Sequence, residues 1–253
     1  MQKRVVVVIG LVSLLLLNSQ SFAGSDSLFS AKESGLQRGP YFDVSWAPVG
    51  LSLLSVSLML DSSKYGLQKL IRDPFNGFHT ELEDYTQYAP IAMMYTADLF
   101  KVPAKNSVWN QTKYLVFSEI GTAAVVHLLK NTLKVQRPNN GSFNSYPSGH
   151  TSQAFVASQV LFNEYKQTAP LLAYSGFAFS VSTGLLRIVN NRHWVPDVLL
   201  GAGIAMLVTN TIYYFEPLKN WNPFKKNKKR NSEVGFIPSL RDDYIGAYLS
   251  IKF

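Results

Sequence analysis

Beyond its first two dozen residues the chain alternates apolar stretches of helical length with short polar or proline-bearing breaks, and this rhythm constrains its fold most. Apolar residues recur at three- and four-residue spacing over Val49–Leu60, Glu83–Leu99, Gln111–Leu129, His150–Glu164, Pro170–Ile188 and Pro196–Phe215. Breaks fall at Asp73-Pro74, Val102-Pro103, Arg137 to Pro147 and Asn190-Asn191, while Pro170 and Pro196 suit the first turn of a helix. The expected fold class is all-α, a helical bundle, with one exception at the C-terminus. There Ile245, Ala247, Leu249, Ile251 and Phe253 alternate with Tyr244, Gly246, Tyr248, Ser250 and Lys252, a strand pattern. Glu233–Leu240 can pair with it as a small β-hairpin.

Composition sets the outer limits. With 253 residues, 47% of them hydrophobic and 16% charged, the chain can bury a sizeable core, and disorder is excluded. The absence of cysteine excludes disulfides, Cys-ligated zinc and thiol nucleophiles. Lys3 and Arg4 followed by the apolar run Val5–Leu17, with Ser21-Phe22-Ala23 ahead of Gly24, have the pattern of a cleavable export signal. The expected organisation is a signal peptide over 1–23, a helical domain over 24–220, and a basic linker with the hairpin over 221–253. The linker contains the run Lys225 to Arg230. Ala169–Leu186 and Val198–Phe215 each carry about 18 residues without a charge, the minimum for a membrane span. Glu119 interrupts Tyr114–Leu129, and mean hydropathy is only +0.03. The expectation is therefore an exported, periplasm-facing helical domain, soluble or peripherally attached to the membrane. An integral inner-membrane protein is the alternative.

A formal net charge of +8 favours anionic partners: phosphate esters, acidic lipid headgroups or nucleic acid. Nucleic acid is not expected, because the basic run has no aromatic stacking surface beside it. Three clusters at predicted helix ends narrow the choice: Lys130 to Arg137-Pro138, Ser145-Tyr-Pro-Ser148-Gly149-His150-Thr151, and Arg187 to His193-Trp-Val-Pro-Asp197. Together they supply three cations, two imidazoles, a carboxylate and a small-residue turn into a helix. Such a turn presents backbone N–H groups and the helix dipole to an anion, Gly149 permits close approach, and Ser148 adds a hydroxyl. Arg137 and Arg187 offer planar forks for phosphoryl oxygens, and Lys130 a compact charge. His193 and Asp197, four residues apart, lie on one face if a helix begins near His193. Asp197 can then hold one ring nitrogen so that the other is free to attack. Each residue alone has an ordinary use as a cap, a turn or a charged helix end. Ten specified positions, each with a background frequency of about one in twenty, do not recur together by chance.

Lys-x6-Arg-Pro, Pro-Ser-Gly-His and Arg-x5-His-x3-Asp resemble the three-part signature of the phosphatidic acid phosphatase type 2 family. That family shares its site with vanadium haloperoxidases and bacterial class A acid phosphatases. Leu186 departs from the pattern, standing where the family often has serine. The resemblance implies a metal-independent, cofactor-free phosphatase acting on a lipid phosphate or a small phosphate ester through a phosphohistidine. It implies His193 as nucleophile, Asp197 as its orienting partner and His150 as proton donor. Lys130, Arg137, Ser148, Gly149 and Arg187 would hold the phosphoryl oxygens. A vanadate-dependent haloperoxidase and a non-catalytic envelope phosphate- or lipid-binding protein are the alternatives. His79 and His127 match no position of the signature, and His79-Thr-Glu81-Leu-Glu83 is expected to be a solvated acidic loop or helix start.

Overall fold

The computed structural model describes residues 47–215, 218, 221, 233–241 and 244–252. The segment 1–23, expected as an export signal, and the basic run Lys225–Arg230 lie outside the described residues, as do the side chains of the C-terminal segment.

Among the described residues eight α-helices follow one another: α1 Ala47–Leu60, α2 Lys64–Arg72, α3 Leu82–Thr86, α4 Ala89–Leu99, α5 Val108–Leu133, α6 Gly149–Tyr165, α7 Pro170–Val189 and α8 Val195–Tyr214. Two single-turn 3₁₀ segments, Asp61–Ser63 and Asp73–Phe75, sit on either side of α2. Pro170 and Pro196 fall in the first turns of α7 and α8, where a missing N–H costs nothing. Two expectations from the apolar spacing need correction. The stretch Glu83–Leu99 is two helices, because Pro90 can open a helix but cannot continue one. Helix α2 is absent from the expected set: Leu67, Leu70 and Ile71 recur at helical spacing, but the helix is only nine residues long and polar on average. Gln68 helps hold it, its buried amide donating to Ile188 O and Asn191 Oδ1, each at 3.0 Å, and Tyr65 meets Trp194 edge-on with ring centroids 5.0 Å apart.

The chain divides into two compact units, Met1–Leu218 and Lys219–Phe253. In the second, β1 (Glu233–Arg241) and β2 (Tyr244–Lys252) pair antiparallel, with Phe236 opposite Leu249. In the first, α6 is the central element, and almost every residue from Thr151 to Tyr165 is buried. A helix buried all round must be covered on all sides, and α5, α7 and α8 pack against it. One core region gathers Met94, Phe155, Val160, Leu161, Ala205 and Met206. A second, with Leu129, Tyr146, Trp194, Leu200 and Ile204, underlies the segments that carry the three clusters. Each such side chain contributes about 1.5–3 kcal/mol by leaving water, so this second region fixes the loops above it. Gly201 is required here: a Cβ on it would stand 2.6 Å from Ser148 O. The start of α8 thereby approaches the turn into α6 closely enough for Ser148 N–H to donate to Asp197 O at 2.9 Å.

Candidate active site

The three clusters, separated by up to 67 residues of chain, converge on one cavity of about 580 Å³. Lys130, Arg137, Gly149, His150, Arg187 and His193 all line it. Ser148 and Asp197 stand immediately behind this lining, both fully buried.

Lys130 reaches the cavity from the last turn of α5, which Lys134 ends in a left-handed conformation (φ 44°). Its ammonium donates to Asn144 O. Arg137 is positioned through the same residue, with Nε donating to Asn144 Oδ1 at 3.0 Å. Ser148 is the N-cap of α6, so the unpaired N–H groups of the first turn open beside the cavity. Its hydroxyl accepts from Thr151 Oγ1 at 2.9 Å, which leaves its own proton free to donate. A Cβ on Gly149 would meet nothing within 4 Å, so the space beside that backbone is open to a ligand. Arg187, in the last turn of α7, is buried and carries an Nε–H that has no partner.

His193 is 1% exposed. Its Nδ1 lies 3.3 Å from Asp197 Oδ2. That oxygen also accepts from Trp194 N–H at 2.9 Å and from the Ser145 hydroxyl. The helix begins at Val195, two residues later than a shared helical face would need. The pair therefore meets across the N-terminal turn of α8, where the carboxylate also complements the helix dipole. Burial, with Lys130 and Arg187 adding to it, pushes the His193 imidazolium down to about 4 against the pull of Asp197. His193 is thus neutral at physiological pH. With Nδ1–H given to Asp197, its lone pair sits on Nε2. Burial also lowers Lys130 to about 8, assisted by Arg137 and Arg187 and opposed by Asp197.

Residues 111–221 match the PAP2 superfamily. That span contains all three clusters, and the resemblance carried by the motifs stands. The chain is 31% identical, over 194 residues, to the Lipid A 1-phosphatase of Porphyromonas gingivalis. The alignment covers 75% of this chain and 43% of that protein, so the chain spans less than half the length of this curated relative. The crystal structure of Aquifex aeolicus LpxE is also similar, with 21% identity and a TM-score of 0.45 over 58% of this chain and 92% of that one.

Several groups around the PAP2 site were not singled out from the sequence. Two of them precede the matched span altogether. Asp84 Oδ1 lies 2.8 Å from His150 Nε2. Glu83 Oε1 accepts from Arg187 Nη1 at 3.3 Å and from Asn190 Nδ2 at 2.6 Å. Glu83 is buried, which corrects the expectation of a solvated acidic stretch: the segment does start a helix, α3, but this carboxylate turns inward to hold Arg187. Within the PAP2 span, Asn144 ties Lys130 to Arg137, Ser145 anchors Asp197, and Arg192 adds a fourth positive charge that acts on Arg137 and Arg187. Ser145 and Arg192 lie inside the quoted clusters. Glu83 and Asp84 have no local pattern, and only the packing of α3 on α7 brings them in.

Proposed function

We propose that this chain is a metal-independent phosphatase that hydrolyses phosphate monoesters, foremost a phosphorylated lipid, through a phosphohistidine on His193. The observation that carries this reading is a buried His193, its Nδ1 beside Asp197 and its imidazolium disfavoured by burial, in the wall of a cavity lined by Lys130, Arg137 and Arg187. A binding protein needs the cations but has no use for an oriented, unprotonated imidazole. In the proposed reaction the Nε2 lone pair attacks phosphorus in line with the ester oxygen. The P–O bond breaks as the P–N bond forms, and His150 gives its proton to the leaving alkoxide. Water then attacks the phosphohistidine with His150 as base, and phosphate leaves as His193 regains its lone pair. Arg137, Arg187, Lys130, the Ser148 hydroxyl and the N–H groups opening at Gly149 share the charge of the three equatorial oxygens. The unpartnered Nε–H of Arg187 supports an anion at this place, since a buried donor without an acceptor costs about 1–3 kcal/mol until one arrives.

A lipid substrate draws support from the named Porphyromonas gingivalis relative and from the surface of α7. This helix and α8 are the two long and apolar enough to cross a membrane among the described residues. Helix α8 is mostly buried, but α7 turns Leu171, Tyr174, Val181 and Leu185 outward at helical spacing. A stripe of this kind finds cover at a lipid surface, which favours membrane association over a freely soluble domain.

Purified protein should release phosphate from lipid A phosphate and from p-nitrophenyl phosphate in the presence of chelator. Brief incubation with ³²P-labelled substrate should trap an acid-labile, base-stable phosphoryl-enzyme that is absent in His193→Ala. No turnover in chelator, or near-native turnover by folded His193→Ala, would overturn the reading.

A further inference from the structure

The cavity does not end at the phosphate cradle. Its far part runs along one face of α5, where Glu119, Thr122, Val126 and Lys130 recur at three- and four-residue spacing. Eleven residues separate Glu119 from Lys130, three turns or roughly 16 Å along the helix axis. Across the groove α6 contributes Ser152 and Gln153. Much of the wall is apolar, with Ala123, Ala124 and Val126 exposed to the space, yet two of its polar atoms are buried and unpartnered: Thr122 Oγ1 and Glu119 Oε1.

The orphaned hydroxyl sets Thr122 apart from the two other threonines of this helix, although Ser118 Oγ, also on α5, is unpaired as well. Thr112 and Thr132, also on α5, return their protons to the carbonyls four residues back, Val108 O at 2.9 Å and Leu128 O at 2.8 Å. Thr122 does not, although its side chain is only 2% exposed. Leaving a buried hydroxyl and a buried carboxyl oxygen unpaired carries the cost of their lost hydration, and both atoms belong to residues on the same cavity. A ligand that supplies hydrogen bonds there removes the cost.

We propose that Glu119 and Thr122 form a recognition subsite for neutral hydroxyl and amide groups on the leaving part of the phosphorylated substrate, with Ala123, Ala124 and Val126 receiving hydrocarbon attached to it. This rests on the reading of the cradle as a phosphatase site, because that reading fixes which end of the substrate lies at Lys130. Burial pushes the Glu119 carboxyl up to about 7, so near neutrality it is protonated much of the time and both donates and accepts. A hydroxylated group suits such a carboxyl better than a fixed cation does. The distance suits a leaving group of sugar size carrying an acyl chain, and a cavity of about 580 Å³ is large enough to hold one.

The test uses the full chain in detergent micelles and two substrates of equal chain length. N-dodecanoylglucosamine 1-phosphate carries hydroxyls and an amide; dodecyl phosphate carries neither. The readout is the ratio of their kcat/KM values in the wild type, Thr122→Val and Glu119→Leu, with Glu119→Gln as the conservative control. The ratio should fall about tenfold in Thr122→Val and in Glu119→Leu, chiefly through KM for the amino-sugar substrate, and Gln should restore most of it. An unchanged ratio, or an equal loss on both substrates, would overturn the subsite. Calorimetric binding of unphosphorylated N-dodecanoylglucosamine separates this from the phosphatase reading, since it needs the subsite and no chemistry. Binding weakened fivefold or more by both variants supports the subsite even if the wild type cleaves neither substrate; binding unaffected by either variant refutes it even if both are cleaved.

Discussion

Of the three histidines that line the cavity, the two in the signature, His193 and His150, are built in opposite ways. His193 is sealed: 1% exposed, held by a carboxylate that is itself held by Trp194 N–H and the Ser145 hydroxyl. His150 is open, with about a third of its side chain exposed, and its partner Asp84 is half exposed. The difference matches the proposed division of labour. A nucleophile benefits from a fixed direction and from exclusion of the water that would protonate it. A group that donates a proton and then takes one from water must stay within reach of solvent. The same cavity thus contains a rigid half, built by α8 and the turn into α6, and an accessible half, built by α3 and the first turn of α6.

The sharpest way to break the comparison is to disturb the sealed side. Asp197→Asn keeps the size of the side chain but not its charge: one oxygen, Oδ2, serves Trp194 N–H, the Ser145 hydroxyl and His193 Nδ1, and a neutral amide there is either a weaker acceptor or, turned round, opposes the tautomer with its lone pair on Nε2. We expect loss of about 10³–10⁴ in kcat with the fold intact, by the logic of a triad aspartate. Circular dichroism and thermal melting check the fold, and phosphate release checks the rate. A loss of tenfold or less would mean that burial alone orients His193.

The sealing itself has a smaller, measurable signature in stability. Burial holds His193 at about 4 in the folded chain, against an ordinary histidine near 6.5 when unfolded. Between these values the unfolded chain binds a proton that the folded one does not. This contribution is therefore complete above pH 6.5 and is lost as pH falls toward 4, by about 3 kcal/mol at most. His193→Gln, which cannot titrate, should show a flatter decline over the same window. His150, whose imidazolium burial and Arg187 also disfavour, is common to both proteins and drops out of the difference. Melts at pH 7, 6, 5 and 4.5 decide it, and parallel curves would show that His193 is not sealed.

How much of this was legible beforehand follows the same division. The sealed half is local in sequence: His193, Trp194 and Asp197 fall within five residues, and Ser148-Gly149 sits at a helix start that its own turn residues mark. Helical spacing exposed α5 through α8 because their apolar faces meet in one core. The accessible half is not local. Glu83 and Asp84 lie over a hundred residues before Arg187, in a short helix whose sequence resembles solvated surface. The orphaned hydroxyl of Thr122 is a matter of what it fails to touch, which no pattern of residue types records. The short α2 escapes for a related reason, since the hydrogen bonds of Gln68 and the contact of Tyr65 with Trp194 that dock it reach residues more than a hundred positions away.

The smallest effect belongs to the open side, and its direction can be worked out from the charges around His150. Burial and the Arg187 guanidinium disfavour the imidazolium; Asp84, at 2.8 Å, and Glu83 favour it. Asp84→Asn removes the nearer of the two favourable charges, so the pKa of His150 must fall further. If His150 donates the proton to the leaving oxygen, it acts only while protonated, and the alkaline limb of kcat/KM follows its pKa. That limb should then move toward acid, by less than for a fully buried pair because Asp84 is half exposed. Turnover below the limb should change by less than about tenfold, since no group that touches the phosphoryl oxygens has been removed. A substrate whose leaving group needs no proton, such as p-nitrophenyl phosphate, should show a weaker shift than an alkyl phosphate. Equal pH profiles for the wild type and Asp84→Asn on the alkyl substrate would detach Asp84 from the chemistry and leave it a surface contact of α3.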